Sequence, residues 1–345
     1  MERNKERNCY LGRWSGWPLP ILSVPNKLNP FEADGVDIAV VLAYHLPYES
    51  IKFFTVSGLL SGAEDMGMLQ GVHTLVEATS GNTGIALAAL AKSFGVPRVK
   101  LVVSPDLPEG KRYPLIMAGA ELVSPEEGLS AIATARKLGG GGWKEKGWHA
   151  HNGCLNLDQY SNPNGVVMHS SCIGPTILKS FVFPPTVFVA GVGTGGTLIG
   201  VGTSLRNYPL IENITIVGVL LSPGQEVPGV RDINRMKEIG LPWMQAADEF
   251  VEVETRPSYL AALWFNWEMG ITPGPSSGLA YLGALDFLEQ RKTAGTLDML
   301  RNEQGRVQVV VLFPDGNRPY GDRFMAYLPS YCLRASTAPL PWKKF

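Results

Sequence analysis

Charge of either sign is scarce in this chain. Of its 345 residues 18% are Asp, Glu, Lys or Arg, and the formal net charge is −1. Lys and Arg are scattered, so the sequence offers no basic face for nucleic acid or for an anionic membrane surface. Cysteine is equally sparse. Cys9, Cys154, Cys172 and Cys332 lie far apart and show no paired metal-ligand spacing, which argues against a disulfide framework or a zinc site. No run of 18 apolar residues occurs, so no segment is expected to span a membrane. The start, residues 1–8, is charged and no apolar block of signal-peptide kind follows it. The expectation is a cytoplasmic protein with reduced thiols and no bound metal.

Hydrophobic residues, at 45%, are plentiful enough for an ordinary folded protein, and the length suits about two domains. Residues 1–35, rich in Trp, Pro, Gly and Asn, read as a surface wrap with an edge strand at 19–24. The run 36–43 reads as an inner strand, and a helix is expected from the turn after His45 to about Gly62. Strands follow at 74–78, 99–104 and 121–124, with helices after Gly84 and near 111–118. Further on come strands at 186–190, 214–221 and 307–313, with helices at 198–206 and 277–290; the tail after Leu333 reads as irregular. Strands alternating with helices of this length predict parallel sheets covered on both faces, an α/β fold. The stretch Gly139, Gly140, Gly141, Gly142 reads first as a flexible surface loop.

Two turns carry the chemistry. In the first, Thr79, Ser80, Gly81, Asn82, Thr83 and Gly84 join a short strand to an Ala/Leu-rich helix. Such a turn aims backbone N–H groups and small hydroxyls at one spot, near the positive end of a helix dipole, and suits a carboxylate or another anion. In the second, Gly191-Val192-Gly193-Thr194-Gly195-Gly196-Thr197 lies between the strand at 186–190 and the next helix. Its glycines and threonines form a nest fitted to a phosphate. No Lys-Ser/Thr pair follows, so it is not a P-loop, and its third glycine misses the dinucleotide fingerprint. Taken singly, each turn also reads as a tight, well-capped helix start.

Together, and in this order, the two turns strongly resemble those of the cysteine synthase (O-acetylserine sulfhydrylase) and cystathionine β-synthase family of fold-type-II pyridoxal-phosphate enzymes, over about residues 17–325. The resemblance implies pyridoxal 5′-phosphate as cofactor and a two-domain, tryptophan synthase β-like fold. The large domain would comprise 1–54 and 159–345, the small mobile one 55–158. It implies a lysine about 28 residues before the first turn, and Lys52, in a segment like the family's Asn-Pro-x-x-Ser-Val-Lys, stands there. Lys52 would form the internal Schiff base and then remove the substrate α-proton. By the same resemblance Thr79, Ser80, Gly81, Asn82, Thr83 and Gln159 would hold the substrate carboxylate, with Asn82 also on the cofactor's 3′-oxygen. Gly193, Thr194, Gly195, Gly196 and Thr197 would hold the phosphate, and Ser277 would line the cofactor side of the cleft. The implied reaction is β-replacement on an O-activated L-serine through an aminoacrylate, and the implied assembly a homodimer.

Several positions depart from the family pattern. Gly316 stands where the family has a Ser or Thr against the pyridine nitrogen, leaving Asp315, or no side chain, in that role. Glu49 replaces a glycine and Phe53-Phe54 replace Asp-Arg beside the lysine, which is expected to reshape the pocket. Arg231 reads as a surface arginine or as a ligand for an anionic leaving group such as phosphate. Three other readings stay open: a β-eliminating serine/threonine dehydratase-like lyase, a catalytically silent cofactor-binding homologue, and a phosphate-ligand protein sharing only the two loops.

Overall fold

The computed structural model describes residues 19–327. Expectations for residues 1–18 and for the tail after Leu333 fall outside that range. Ten strands are described: β1 (Ile21–Ser23), β2 (Val36–Leu42), β3 (Thr74–Ala78), β4 (Arg98–Val102), β5 (Glu121–Val123), β6 (Cys154–Asn156), β7 (Val187–Gly191), β8 (Thr215–Leu221), β9 (Glu249–Val253) and β10 (Val307–Phe313). They form a six-stranded sheet of order β1-β2-β10-β7-β8-β9 and a four-stranded sheet of order β5-β4-β3-β6. Every pairing is parallel except that of the short edge strand β1 with β2. Parallel strands need crossovers, and helices provide them, so both sheets are covered as the alternation predicts.

The inner strands serve two cores at once. Val187 and Val189 of β7, with Val307, Val309, Val311 and Phe313 of β10, pack into one apolar cluster. Their alternating neighbours Phe188, Ala190, Val310 and Leu312 pack into the other. Successive side chains of a strand point to opposite faces, so near-continuous apolar runs are what a doubly covered strand requires. Each fully buried side chain of this kind stabilises the fold by about 1.5–3 kcal/mol. The strand ends are therefore a firm frame for a site.

The helix Lys52–Asp65 buries Phe53, Phe54, Val56, Leu59 and Leu60. It comes so close to the helix Asn164–Met168 that a Cβ on Gly58 would lie 2.2 Å from the Asn164 carbonyl oxygen. Several features differ from the sequence-based expectation, among them β6 and the helices Asn164–Met168 and Gly174–Ser180, which were not expected. The stretch 139–142 is packed: Gly139 and Gly142 are buried, and a Cβ on Gly139 would lie 2.3 Å from the Asn156 backbone nitrogen. Those glycines allow a close approach to β6; they do not form an open loop. The helix Thr255–Met269 was not foreseen because it is apolar on most of its surface and shows no single stripe; it lies among Tyr281, Phe313 and Phe324. β9 was missed because acidic residues break its apolar run. No helix among the described residues is long and apolar enough to cross a membrane.

Candidate active site

A cleft with a cavity volume of about 220 Å³ opens beyond the carboxyl ends of β3, β7 and β10 and takes residues from both sheet units. In open α/β sheets this is where ligands collect.

Lys52 is the first residue of its helix and half-buried in the cleft. The segment before it is unusual. Tyr48 and Glu49 both adopt left-handed backbone conformations, with φ of 61° and 51°. For residues bearing a Cβ this costs about 1–3 kcal/mol each and persists only where neighbours enforce it. The neighbour is the end of β10: the Ile51 N–H donates to the Pro314 carbonyl at 2.8 Å, the Gly316 N–H to the Glu49 carbonyl at 3.3 Å, and Ser50 bridges Asp315. Burial pulls the Lys52 pKa below the ordinary lysine value, with the Asp315 carboxylate acting in the opposite sense.

The expected reshaping of the pocket by Glu49 and the two phenylalanines is not what the structure shows. Phe53 and Phe54 lie in the core at 0% and 1% exposure, and Glu49 turns outward to Arg318, 2.7 Å away. The helix start points these side chains away from the cleft that Lys52 enters.

Thr79, Ser80, Gly81, Asn82 and Thr83 line one wall. The helix Asn82–Leu90 begins there with no side-chain cap, so its first N–H groups are open to a ligand. Gln159 lines the same wall and donates through its amide to the Ala78 carbonyl at 3.2 Å. Tyr160, which the sequence reading did not single out, donates its hydroxyl to the same carbonyl at 2.7 Å.

Beneath this wall lies Glu77, 2% exposed, accepting N–H bonds from Ala78 and Gln159 at 3.2 and 3.4 Å. Burial, and then the nearby Asp158 carboxylate, push its pKa up to about 8. Asp158 is itself held by Arg136 at 3.1 Å and by the Trp143 N–H at 2.9 Å. Between the ordinary glutamate range and about pH 8 the folded state holds a proton at Glu77 that the unfolded chain has lost. The proton-linked stability from this group is therefore complete at acid pH and lost as the pH rises to about 8. Glu77→Gln is expected to narrow the difference in Tm between about pH 5 and about pH 8, as scanning calorimetry of both proteins at the two pH values would measure. An unchanged difference would mean that Glu77 is ionised throughout.

The opposite wall is the 193–197 loop. Gly193, Thr194, Gly195, Gly196 and Thr197 all line the cleft, and the loop leads from β7 into the helix Gly196–Arg206. Gly195 has φ of 83°, and no side chain caps that helix either. A Cβ on Gly193 would lie 2.2 Å from the Gly229 carbonyl oxygen, so the loop is held tightly from behind.

Asp315 joins the walls. Its Oδ1 accepts from Ser276 Oγ at 2.8 Å, and its Oδ2 from Asn82 Nδ2 at 2.8 Å and from the Tyr320 hydroxyl. Burial raises the Asp315 pKa above the ordinary aspartate value, while these hydrogen bonds and Lys52 act in the opposite sense. Asn82 also lies 3.2 Å from the Tyr320 oxygen. Ser277 is fully buried and does not line the cleft, and its hydroxyl has no hydrogen-bond partner; its neighbour Ser276 lines the cleft instead. Gly316 does not line the cleft, and a Cβ there would find ordinary van der Waals space.

A lysine of lowered basicity faces two uncapped helix starts, one with a glycine cradle shaped for phosphate and one with small hydroxyls and amides suited to a carboxylate. These residues fit pyridoxal phosphate: an amine for its aldehyde, an N–H nest for its phosphate, and a cleft between two parallel units for its ring. Fold and site together are those of a fold-type-II pyridoxal-phosphate enzyme. Residues 16–315 match the family model described as pyridoxal-phosphate dependent enzyme, and the chain belongs to that family. It is 33% identical over 254 residues to cysteine synthase B of Salmonella typhimurium, covering 73% of this chain and 80% of that protein. To the cysteine synthase of Aquifex aeolicus it is 30% identical over 305 residues, 87% of each. Among solved structures, the cysteine synthase of Entamoeba histolytica superposes with a TM-score of 0.71 at 22% identity, covering 94% of this chain and 90% of that one. A hydrogen sulfide-producing enzyme from Fusobacterium nucleatum gives 0.70 at 22% identity, covering 88% and 96%. The protein is a pyridoxal-phosphate dependent enzyme of the cysteine synthase type.

Proposed function

We propose that the enzyme performs β-replacement on an O-activated L-serine, yielding cysteine or a related β-substituted amino acid. The observation that carries this reading is the presence of Lys52, with its lowered basicity, in one cleft with both anion-suited loops. The bound cofactor supplies an electron sink conjugated to the substrate α-carbon. The chain's own residues do the rest. The 193–197 loop holds the phosphate by its N–H groups. The 79–83 loop and Gln159 hold the substrate carboxylate, which fixes the α-C–H bond toward the Lys52 amine. Lys52, neutral in a larger fraction than an ordinary lysine, takes the α-proton and returns it after the nucleophile has added. Asp315 has both oxygens engaged, so its role is to orient Asn82, not to add a further charge to the ring. Movement of the smaller unit, roughly residues 55–158, toward the larger would exclude water while the carboxylate is bound.

The test is the visible spectrum of the holoenzyme on adding O-acetyl-L-serine, followed by sulfide, with keto acid assayed in parallel. A donor-induced band that sulfide reverses, with a β-substituted amino acid as product, supports the reading. Keto acid as the sole product would replace it with β-elimination.

A further inference from the structure

Glu77 is an acid inside the strand that ends at the carboxylate wall, and it takes no part in the proton transfers assigned to Lys52. Its two oxygens serve two segments. Oε1 accepts the Ala78 N–H at 3.2 Å, one residue before Thr79, and Oε2 accepts the Gln159 N–H at 3.4 Å. The return contacts run the other way: the Gln159 amide and the Tyr160 hydroxyl both donate to the Ala78 carbonyl, at 3.2 and 2.7 Å. Thr79 and Gln159 both line the cleft. The Glu77 carboxyl thus joins, from beneath, the two segments read above as holding the substrate carboxylate.

The charges around it do not balance. Asp158 and Tyr160 reach Glu77 from the turn after β6, and Arg136 comes from the helix Ala131–Leu138. Its strand partner on β4 is Leu101, the register of β6 brings Asn156 beside Val76, and the helix Asn82–Leu90 has no ionisable side chain. Arg136 is committed to Asp158, with its Nη2 3.1 and 3.2 Å from the two carboxylate oxygens. Arg231 stacks over the Tyr160 ring at 5.1 Å and pairs with Glu238 at 3.0 Å. Among the described residues no cation pairs with Glu77. A buried acid in that position keeps its proton, because an uncompensated charge out of water is costly.

We propose that Glu77 is a positioning residue for the donor's carboxylate: as the neutral acid it ties the 79–83 loop to the Gln159 turn, and once ionised it repels the carboxylate bound above it. This rests on the assignment of those segments to the substrate carboxylate. It goes beyond that assignment by making donor affinity depend on a proton that the substrate never touches. The sign follows from linkage. Below about pH 8 Glu77 is neutral and the donor binds with full affinity. Above it, binding must either return a proton to Glu77 or hold two like charges across a partly dry gap.

The experiment titrates the holoenzyme and its Glu77→Gln variant with L-alanine, which carries the carboxylate and has no leaving group. The dissociation constant is read from the visible spectrum at about pH 7 and about pH 9. Ionisation of Lys52 and of the ligand's amine is common to both proteins and cancels in the ratio of their constants. That ratio, native over variant, is expected to rise about fivefold over the interval, toward a limit of about tenfold set by one like-charge repulsion. Infrared difference spectra of the native holoenzyme at about pH 8 give a readout that needs no variant. Adding L-alanine should enlarge the carbonyl band of a protonated carboxyl, since a bound carboxylate favours the neutral acid. O-acetyl-L-serine at about pH 7 reports on the site itself. If it changes the spectrum while the ratio stays flat or the infrared band is missing, the inference is overturned and the reading of the site stands. If neither ligand changes the spectrum, that reading falls and the inference falls with it.

Discussion

Lys52→Ala is expected to lose the visible band of a lysine-linked cofactor and to turn over serine derivatives at least about a thousandfold more slowly than the native enzyme. Two losses combine. Under the proposed assignment the substitution removes both the amine that would hold the cofactor covalently and the base for the α-proton. Among the described residues the cleft has one other lysine, Lys111, and it is paired with Glu226. The fold should not suffer, because burial opposes the charge on Lys52 and removing it relieves that cost. The expected outcome is thus an inactive protein with unchanged circular dichroism and a Tm no lower than the parent's. Turnover within tenfold of the native value would overturn the assignment of Lys52 as the base.

Gly193→Ala is expected to weaken cofactor binding by about ten- to a hundredfold. The added Cβ would lie 2.2 Å from the Gly229 carbonyl oxygen, and that neighbour is backbone, which cannot rotate away. Either the 193–197 loop or the segment around Gly229 must move. Overpacking of this kind costs about 1–3 kcal/mol, and each 1.4 kcal/mol is roughly tenfold in affinity. The measurement is the pyridoxal-phosphate dissociation constant from an absorbance titration, with Gly321→Ala, whose Cβ meets open space, as the control. Equal affinities in the two variants would show that the nest tolerates the displacement and does not define the phosphate position.

The loop that holds Gly193 could be picked out from the sequence because strand–turn–helix chemistry is local, whereas Lys52 is reached only through the family resemblance and the spacing it implies before the first turn. A short apolar run, a cluster of glycines and hydroxyls and the start of a helix can be recognised in eight residues. What stayed hidden depends on approach between distant segments. Ser276 and Ser277 are consecutive in one helix, and only that helix's rotation, about 100° per residue, decides which hydroxyl meets Asp315. Tyr320 enters through a short turn after β10, and Tyr160 through its hydroxyl's reach to Ala78. Tyr160 had no local signal beyond standing beside Gln159, and Tyr320, five residues after Asp315, had none. Glu77 had one that went unread: an acid inside an otherwise apolar strand, where burial must be compensated or the proton kept. The glycines at 139–142 misled in the other direction, since a run that reads as slack in sequence turned out to be a close contact with Asn156.

The lysine near the beginning of the chain is positioned by a strand near its end. Pro314, Asp315 and Gly316, at the carboxyl edge of β10, bond the 49–51 segment and hold Tyr48 and Glu49 in their left-handed conformations. β10 also sits between β2 and β7, closing the middle of the sheet. A ribosome therefore delivers the reactive amine more than 250 residues before the segment that seats it. The burial that lowers the Lys52 pKa belongs to a cleft that Leu312, Pro314 and Asp315 help to line, so the lowered basicity depends on β10 being in place.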